Sequence, residues 1–123
     1  MSKSANPGEL RTVTYFMRVE RTTNQNGVPV PREVNVFGQD SQKNERYVLT
    51  KWVNAHGNEV IAAMQLELKE LATITMRYSP LVTRSCLVYC GTDPVAFEIV
   101  SIDDVENRHR WLEIKVARKM PAR

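Results

Sequence analysis

The sequence predicts a mainly β protein: a small antiparallel β-barrel or sandwich of about six strands, with one short α-helix and a long loop or arm in its N-terminal half. Three observations predict it. Short segments of alternating or β-branched sequence recur along the 123-residue chain. They follow one another too closely for the crossover helices that parallel strands require. Only one segment carries apolar residues at helical spacing.

The first strand is Thr12 to Glu20, TVTYFMRVE, in which Val13, Tyr15, Met17 and Val19 share one face, taken as the buried one, and Phe16 is the misfit. Tyr47 to Asn54, YVLTKWVN, is rich in β-branched and aromatic residues and reads as a second strand. Asn58 then suits an N-cap, Glu59 suits the positive end of a helix, and Val60, Ile61, Met64, Leu68 and Leu71 recur at helical spacing, predicting a helix over about 58 to 70. Four more strands follow: Ala72 to Tyr78, Ser85 to Cys90, Val95 to Ile102 and Trp111 to Ala117, the last alternating Leu112, Ile114 and Val116 with Glu113 and Lys115. Gly91-Thr92-Asp93-Pro94 supplies turn chemistry between two of them, so LVYCGTDPVAFEI reads as a hairpin. The whole chain, 1–123, is one domain, with residues 1–10 as an N-terminal arm and 119–123 as a flexible basic tail.

Residues 21–46, RTTNQNGVPVPREVNVFGQDSQKNER, form the segment without an obvious element. Long structureless loops are uncommon in compact domains and are usually functional. Val28, Val30, Val34 and Val36 sit two apart in register, interrupted by Arg32, with Pro29 and Pro31 on the other face. Prolines exclude a central strand but suit an edge. The stretch therefore reads as an extended arm that pairs along one side, either in a hairpin of its own domain or on a neighbouring copy by strand addition; a loop without pairing is the remaining reading.

No apolar run approaches the roughly 18 residues of a membrane span, and MSKSANPGEL lacks the apolar stretch of a signal peptide, so a soluble protein that stays where it is made is expected. The net charge of +3 admits a polyanionic partner without demanding one. Its distribution is more informative. Asp93, Glu98, Asp103, Asp104 and Glu106 form an acidic stretch with no basic residue, whereas Arg108, Arg110, Lys115, Arg118, Lys119 and Arg123 follow against Glu113 alone. Asp103, Asp104, Glu106, Arg108, Arg110 and Arg118 are thus candidates for complementary charged patches through which copies associate, an alternative to ordinary mixed surface charge.

Catalytic chemistry finds no support. Cys86 and Cys90 on one strand lie roughly 13 Å apart, too far for a disulfide or a shared metal, so they read as structural thiols. His56 and His109 accompany no nucleophile motif, and Asp103, Asp104, Glu106 and His109 match no Ca²⁺ loop. The five glycines are scattered and form no phosphate loop. No catalytic, cofactor or metal site is expected. A nucleic-acid-binding barrel is the competing class, with Phe16, Phe37 and Trp111 as its candidate stacking platforms.

From Ala72 to Arg118 the chain resembles the C-terminal half of the tailed-phage head-tail joining family, the head-closure or stopper proteins. The resemblance rests on Thr75-Met76-Arg77-Tyr78, Phe97-Glu98-Ile99-Val100-Ser101-Ile102 and Arg110-Trp111-Leu112-Glu113-Ile114, with Gly8-Glu9-Leu10-Arg11, Trp52 and Gly57-Asn58-Glu59 echoing the N-terminal half. It implies a virion structural protein, not an enzyme, assembled in the host cytoplasm into a homo-oligomeric ring, a dodecamer. Such a ring sits in the neck of the virion below the portal or adaptor and above the tail terminator or tail tube, and retains packaged double-stranded DNA. An adaptor or tail terminator of the same neck, or a non-virion nucleic-acid-binding barrel, are the alternatives. With the resemblance, Val28, Val30, Arg32, Val34, Val36, Lys43 and Arg46 become candidate subunit-interface or channel residues.

Overall fold

The computed structural model describes residues 7–54 and 69–119. A short 3-10 turn, Pro7–Glu9, leads into β1 (Thr12–Thr23), β2 (Pro29–Asn35) and β3 (Val48–Asn54). β4 (Lys69–Arg77), β5 (Leu87–Cys90), β6 (Phe97–Asp104) and β7 (Trp111–Lys119) follow, with a 3-10 turn, Val105–Asn107, between the last two. The sheet has 7 strands in the order β2-β1-β3-β4-β7-β6-β5, and β5 also pairs with β1. The pairings from β1 through β3, β4, β7, β6 and β5 therefore return to β1, and every one is antiparallel. This is the small antiparallel, barrel-like fold that the sequence predicts. The expected helix over 58–70 lies outside the described residues except for Lys69 and Glu70, which open β4 instead. Lys119, assigned to a flexible tail, closes β7 opposite Lys69.

The core is built from alternate residues of facing strands: Phe16, Ile74, Met76, Val88, Ile114 and Val116 are all at most 1% exposed. Predicted alternation holds on β7, where Leu112, Ile114 and Val116 are buried, and on β4, where Ala72, Ile74 and Met76 are. On β1 the phase is the reverse of the expectation. Thr14 and Phe16 are fully buried, whereas Val13, Tyr15 and Met17 are only partly covered and Val19 is 50% exposed. Because side chains alternate with period two, assigning one residue to the wrong side moves the whole strand. Thr14 tolerates its buried place because its hydroxyl meets that of Thr50 at 2.8 Å, so neither oxygen is left unpaired.

None of the three expected stacking platforms is left open. Phe16 is in the core, Phe37 packs edge-on against it with centroids 6.0 Å apart, and Trp111 is 9% exposed in a second cluster with Leu10 and Val105. Cys86, buried just before β5, and Cys90, half-buried at its end, are free thiols, in keeping with a structural role. Burial, followed by the negative charge of Asp93, pushes the Cys90 thiol pKa above its ordinary value, the opposite of what a reactive thiolate needs. The predicted hairpin is present: β5 and β6 pair through Leu87↔Glu98 and Val88↔Phe97. Its turn begins with Gly91 at φ 56, a left-handed conformation that glycine adopts without a Cβ clash.

Strand directions alternate around an antiparallel ring, so β1, β4 and β6 run the same way. The tip beyond β1, the 78–86 loop after β4 and the 105–110 turn after β6 therefore share one end of the barrel. The 91–96 connection and the start of β1 lie toward the other.

Candidate assembly surfaces

Much of the 21–46 segment folds onto its own chain. β2 pairs with the distal half of β1 from Met17↔Asn35 to Thr23↔Pro29, making a hairpin arm, one of the two pairings the sequence left open. The turn has a clear chemical cause. Asn24 Oδ1 accepts the backbone N–H groups of Asn26 and Val28, each at 2.9 Å, and Gly27 takes the left-handed position at φ 78. The signal was Asn24-Gln25-Asn26-Gly27, in which Gln25 to Gly27 make a three-residue hairpin loop after Asn24, with glycine at the bulge position. A second turn repeats the design. Asp40 Oδ1 accepts the N–H groups of Gln42 and Asn44, and Lys43 occupies at φ 64 the position that Gly27 holds in the first. The Asn44 and Gln42 N–H groups hold the Asp40 carboxyl below its usual range. Lys43 is therefore displayed on a strained backbone, a conformation that costs a non-glycine residue about 1–2 kcal/mol.

The loop carrying this turn is fastened at its root. Asn35, 6% exposed, donates from Nδ2 to the Arg46 carbonyl at 2.7 Å and accepts the Phe37 N–H at 2.9 Å. Arg46 in turn donates from Nε to the Gln39 carbonyl at 3.2 Å, and the Lys43 N–H bonds to the Asp40 carbonyl, so one side chain and the other's backbone are held. Of the apolar candidates, Val28 is 52% exposed, Val30 and Val34 are half-buried on one face of β2, and Val36 packs against the core. Arg32 is exposed opposite Glu20.

Beside the arm's root lies an open groove of about 740 Å³ with Tyr15, Tyr47 and Tyr89 among its walls and Glu33, Asp40 and Glu45 at its rim. Tyr89 donates its hydroxyl to Glu33 Oε1, which ties β5 to β2 across β1. Burial first, then that bond and the negative charge of Glu33, push the phenol pKa up to about 12.

The acidic and basic stretches, consecutive in sequence, meet within one turn. Asp103, Asp104 and Glu106 sit at the end of β6 and in its turn, with Arg108 and Arg110 immediately beyond. Asp104 reaches His109 Nδ1 at 2.7 Å and accepts the His109 backbone N–H at 3.0 Å, while Glu106 pairs with Arg108 at 3.4 Å. Glu106, Asn107 and His109 all have positive φ, between 53 and 57. Such a run of left-handed, non-glycine residues persists only where neighbours hold it. Here Asp104 does so, together with the Tyr78 ring 4.6 Å from the His109 ring and the Tyr78 N–H on the Arg110 carbonyl. Arg108 and Arg110 thus project from a rigid turn at the arm's end of the barrel.

Arg118 is placed differently from these. Its side chain is 15% exposed and bridges Glu70 and Asp93 at 2.8 Å each, with a further bond to the Val95 carbonyl. The guanidinium lies 4.3 Å from the centre of Phe97, which itself packs edge-on against Trp52 at 5.1 Å. Burial works against its charge, but Asp93 and Glu70 outweigh it and the Arg118 pKa rises. The Asp93 carboxyl is held below its usual range by the Val95 N–H and by Arg118. Periodicity could not reveal this clamp, because its members come from three strands and a turn that meet only once the barrel closes. Among the described residues, no group of three or more His, Cys, Asp or Glu side chains is placed to hold a metal ion.

One solved structure agrees with the architecture. The solution structure of protein SF1141 from Shigella flexneri 2a is similar with a TM-score of 0.64 at 16% identity, over 97% of this chain and 100% of that one. A chain in the virion of a native gene transfer agent particle aligns over 91% of this chain and 98% of its own, at 10% identity and a TM-score of 0.49. No curated protein matches the sequence. A family model described as phage head completion protein matches residues 5–119, which takes in every described strand, the arm and the basic turn. The chain belongs to the phage head completion protein family.

Proposed function

We propose that this phage head protein is a head-closure, or stopper, subunit: copies form a ring that joins the portal or adaptor to the tail and retains packaged double-stranded DNA. The observation that carries the reading is the family match over residues 5–119. The surfaces described above support it. A ring of heterologous contacts needs two different patches on each copy. The arm with Val28, Val30, Arg32 and Val34 is one, and the Asp103-to-Arg110 turn with its neighbouring barrel wall is the other. Lys43 and Arg46, on the fastened loop, are the side chains proposed to meet phosphate, where each contact makes binding weaken with salt. Arg118, engaged by Glu70 and Asp93, braces the barrel and stays out of the contact. The role is structural and uses no cofactor.

Phage heads assembled without the protein test this directly. Filled heads lacking it are expected to lose DNA and to reject tails, and adding the purified protein is expected to restore both. Heads that keep their DNA and accept tails without it would overturn the stopper role. Restoration of tail joining with DNA retention unaffected would point to an adaptor or terminator ring instead.

A further inference from the structure

β5 is only four residues long, and both strands that flank it outrun it. Its pairing with β1 ends at Met17↔Leu87, and its pairing with β6 ends at Leu87↔Glu98. Beyond those points β1 continues to Thr23 and β6 to Asp104. Each chain therefore carries two strand edges with no backbone partner among the described residues, both created by one short strand. The 78–86 loop does not fill the gap with backbone bonds. It seals the core with Val82 and Cys86, but its Cys86 N–H goes to the Thr83 carbonyl and its Leu81 N–H to Ser79 Oγ.

The arm's two edges differ. Val36 N–H bonds to the Phe16 carbonyl and Asn24 N–H to the Val28 carbonyl, so even-numbered residues of β1 and β2 bond to each other. Odd-numbered residues then turn their N–H and C=O groups outward. On β2 the outward positions include Pro29 and Pro31, which have no N–H to offer, a device that blunts an edge. On β1 they are Val19, Arg21 and Thr23, whose N–H and carbonyl groups have no partner among the described residues. The β1 edge is the open one.

The free edge of β6 complements it. Val19 and Val100, the latter at the slip just before the regular stretch of β6, are each 50% exposed. Arg21 and Asp103 are exposed, and neither makes an ion pair among the described residues. The register of β6 against β7 slips between Ile99 and Ser101, after which Ser101 to Asp104 is regular strand.

We propose that the open edge of β1 in the arm, Val19 to Thr23, adds as a strand to the free edge of β6, Ser101 to Asp104, of a second copy. Main-chain hydrogen bonds then supply the contact, and Arg21 against Asp103 sets its polarity. The two edges are different surfaces, so the contact is heterologous and repeats from copy to copy. This rests on the ring reading above.

Arg21→Pro tests it, because position 21 faces Pro31 across the hairpin and gives no bond to β2, so the arm folds while the outward N–H is lost. Arg21→Ala controls for the charge. With wild-type protein added to portal-bearing heads, rings are expected to form and the amides of both edges to gain protection from hydrogen exchange. Arg21→Pro is expected to associate at least about tenfold more weakly than Arg21→Ala, with the unassembled variants melting alike. Proline and alanine variants that assemble equally well, or rings whose two edges exchange as fast as in free protein, would overturn the edge pairing and leave the ring reading standing. Absence of rings with wild-type protein would overturn both.

Discussion

Phe16→Ala is expected to destabilise the fold by about 3–5 kcal/mol, the cost typical of truncating a fully buried aromatic residue. Phe16 is 0% exposed, packs against Phe37, and lies in the cluster with Ile74, Val88 and Ile114. Val19→Ala, three residues along the same strand, is expected to change stability by no more than about 0.5 kcal/mol, since its side chain is 50% exposed. The pair of variants reads out which face of β1 is the core. Denaturant unfolding of both measures it, and a larger loss for Val19→Ala would contradict the assignment.

Arg118→Ala is expected to cost about 2 kcal/mol, between the near-zero to ~1 kcal/mol of an exposed ion pair and the ~3–5 kcal/mol of breaking a buried one. The placing follows from exposure: 15% for the Arg118 side chain, against 34% for those of Glu70 and Asp93. The variant loses the bonds to Glu70, Asp93 and the Val95 carbonyl together, along with the stack on Phe97. Arg118→Lys is expected to recover less than half of the loss, because an ammonium reproduces neither the fork nor the flat stacking surface. The acid dependence follows from Asp93, whose depressed pKa makes its contribution full above the ordinary carboxylate range and lost as pH falls through the folded value. In Arg118→Ala that dependence is expected to shrink without vanishing, since the Val95 N–H still bonds the carboxylate. Unfolding midpoints across acid pH measure this, and an Arg118→Ala curve superimposed on wild type would contradict the clamp.

Strand existence was legible because β4 and β7 alternate cleanly: Ile74 and Met76, or Ile114 and Val116, are apolar on one side with polar neighbours on the other. β1 was harder, since Val13, Tyr15, Met17 and Val19 outnumber Phe16 as apolar residues. The excess reflects a second, partial cover on the outside of the strand, where Tyr15 meets the Tyr47 ring at 6.3 Å. Counting apolar residues therefore chose the wrong face, and the buried hydroxyl pair of Thr14 and Thr50 gave no signal in hydropathy. β2 was half-legible: its prolines were read correctly as edge residues, but the turn in NQNG that folds it back went unused. The unpaired edges of β1 and β6 were out of reach for a different reason. They depend on how far β5 extends beside its neighbours, which is a property of register, and register is decided by closure of the barrel.

That closure also links fold to assembly. The core strands hold the 105–110 turn and let the β1–β2 arm project from the same end, so two different surfaces are offered by one small domain. Copies of this domain are expected to form a ring at the phage neck. Electron microscopy of heads bearing the portal, incubated with the purified protein and then with tails, measures it most directly. A ring of side-by-side copies between portal and tail is the predicted result, and heads joined to tails with no such ring would contradict it.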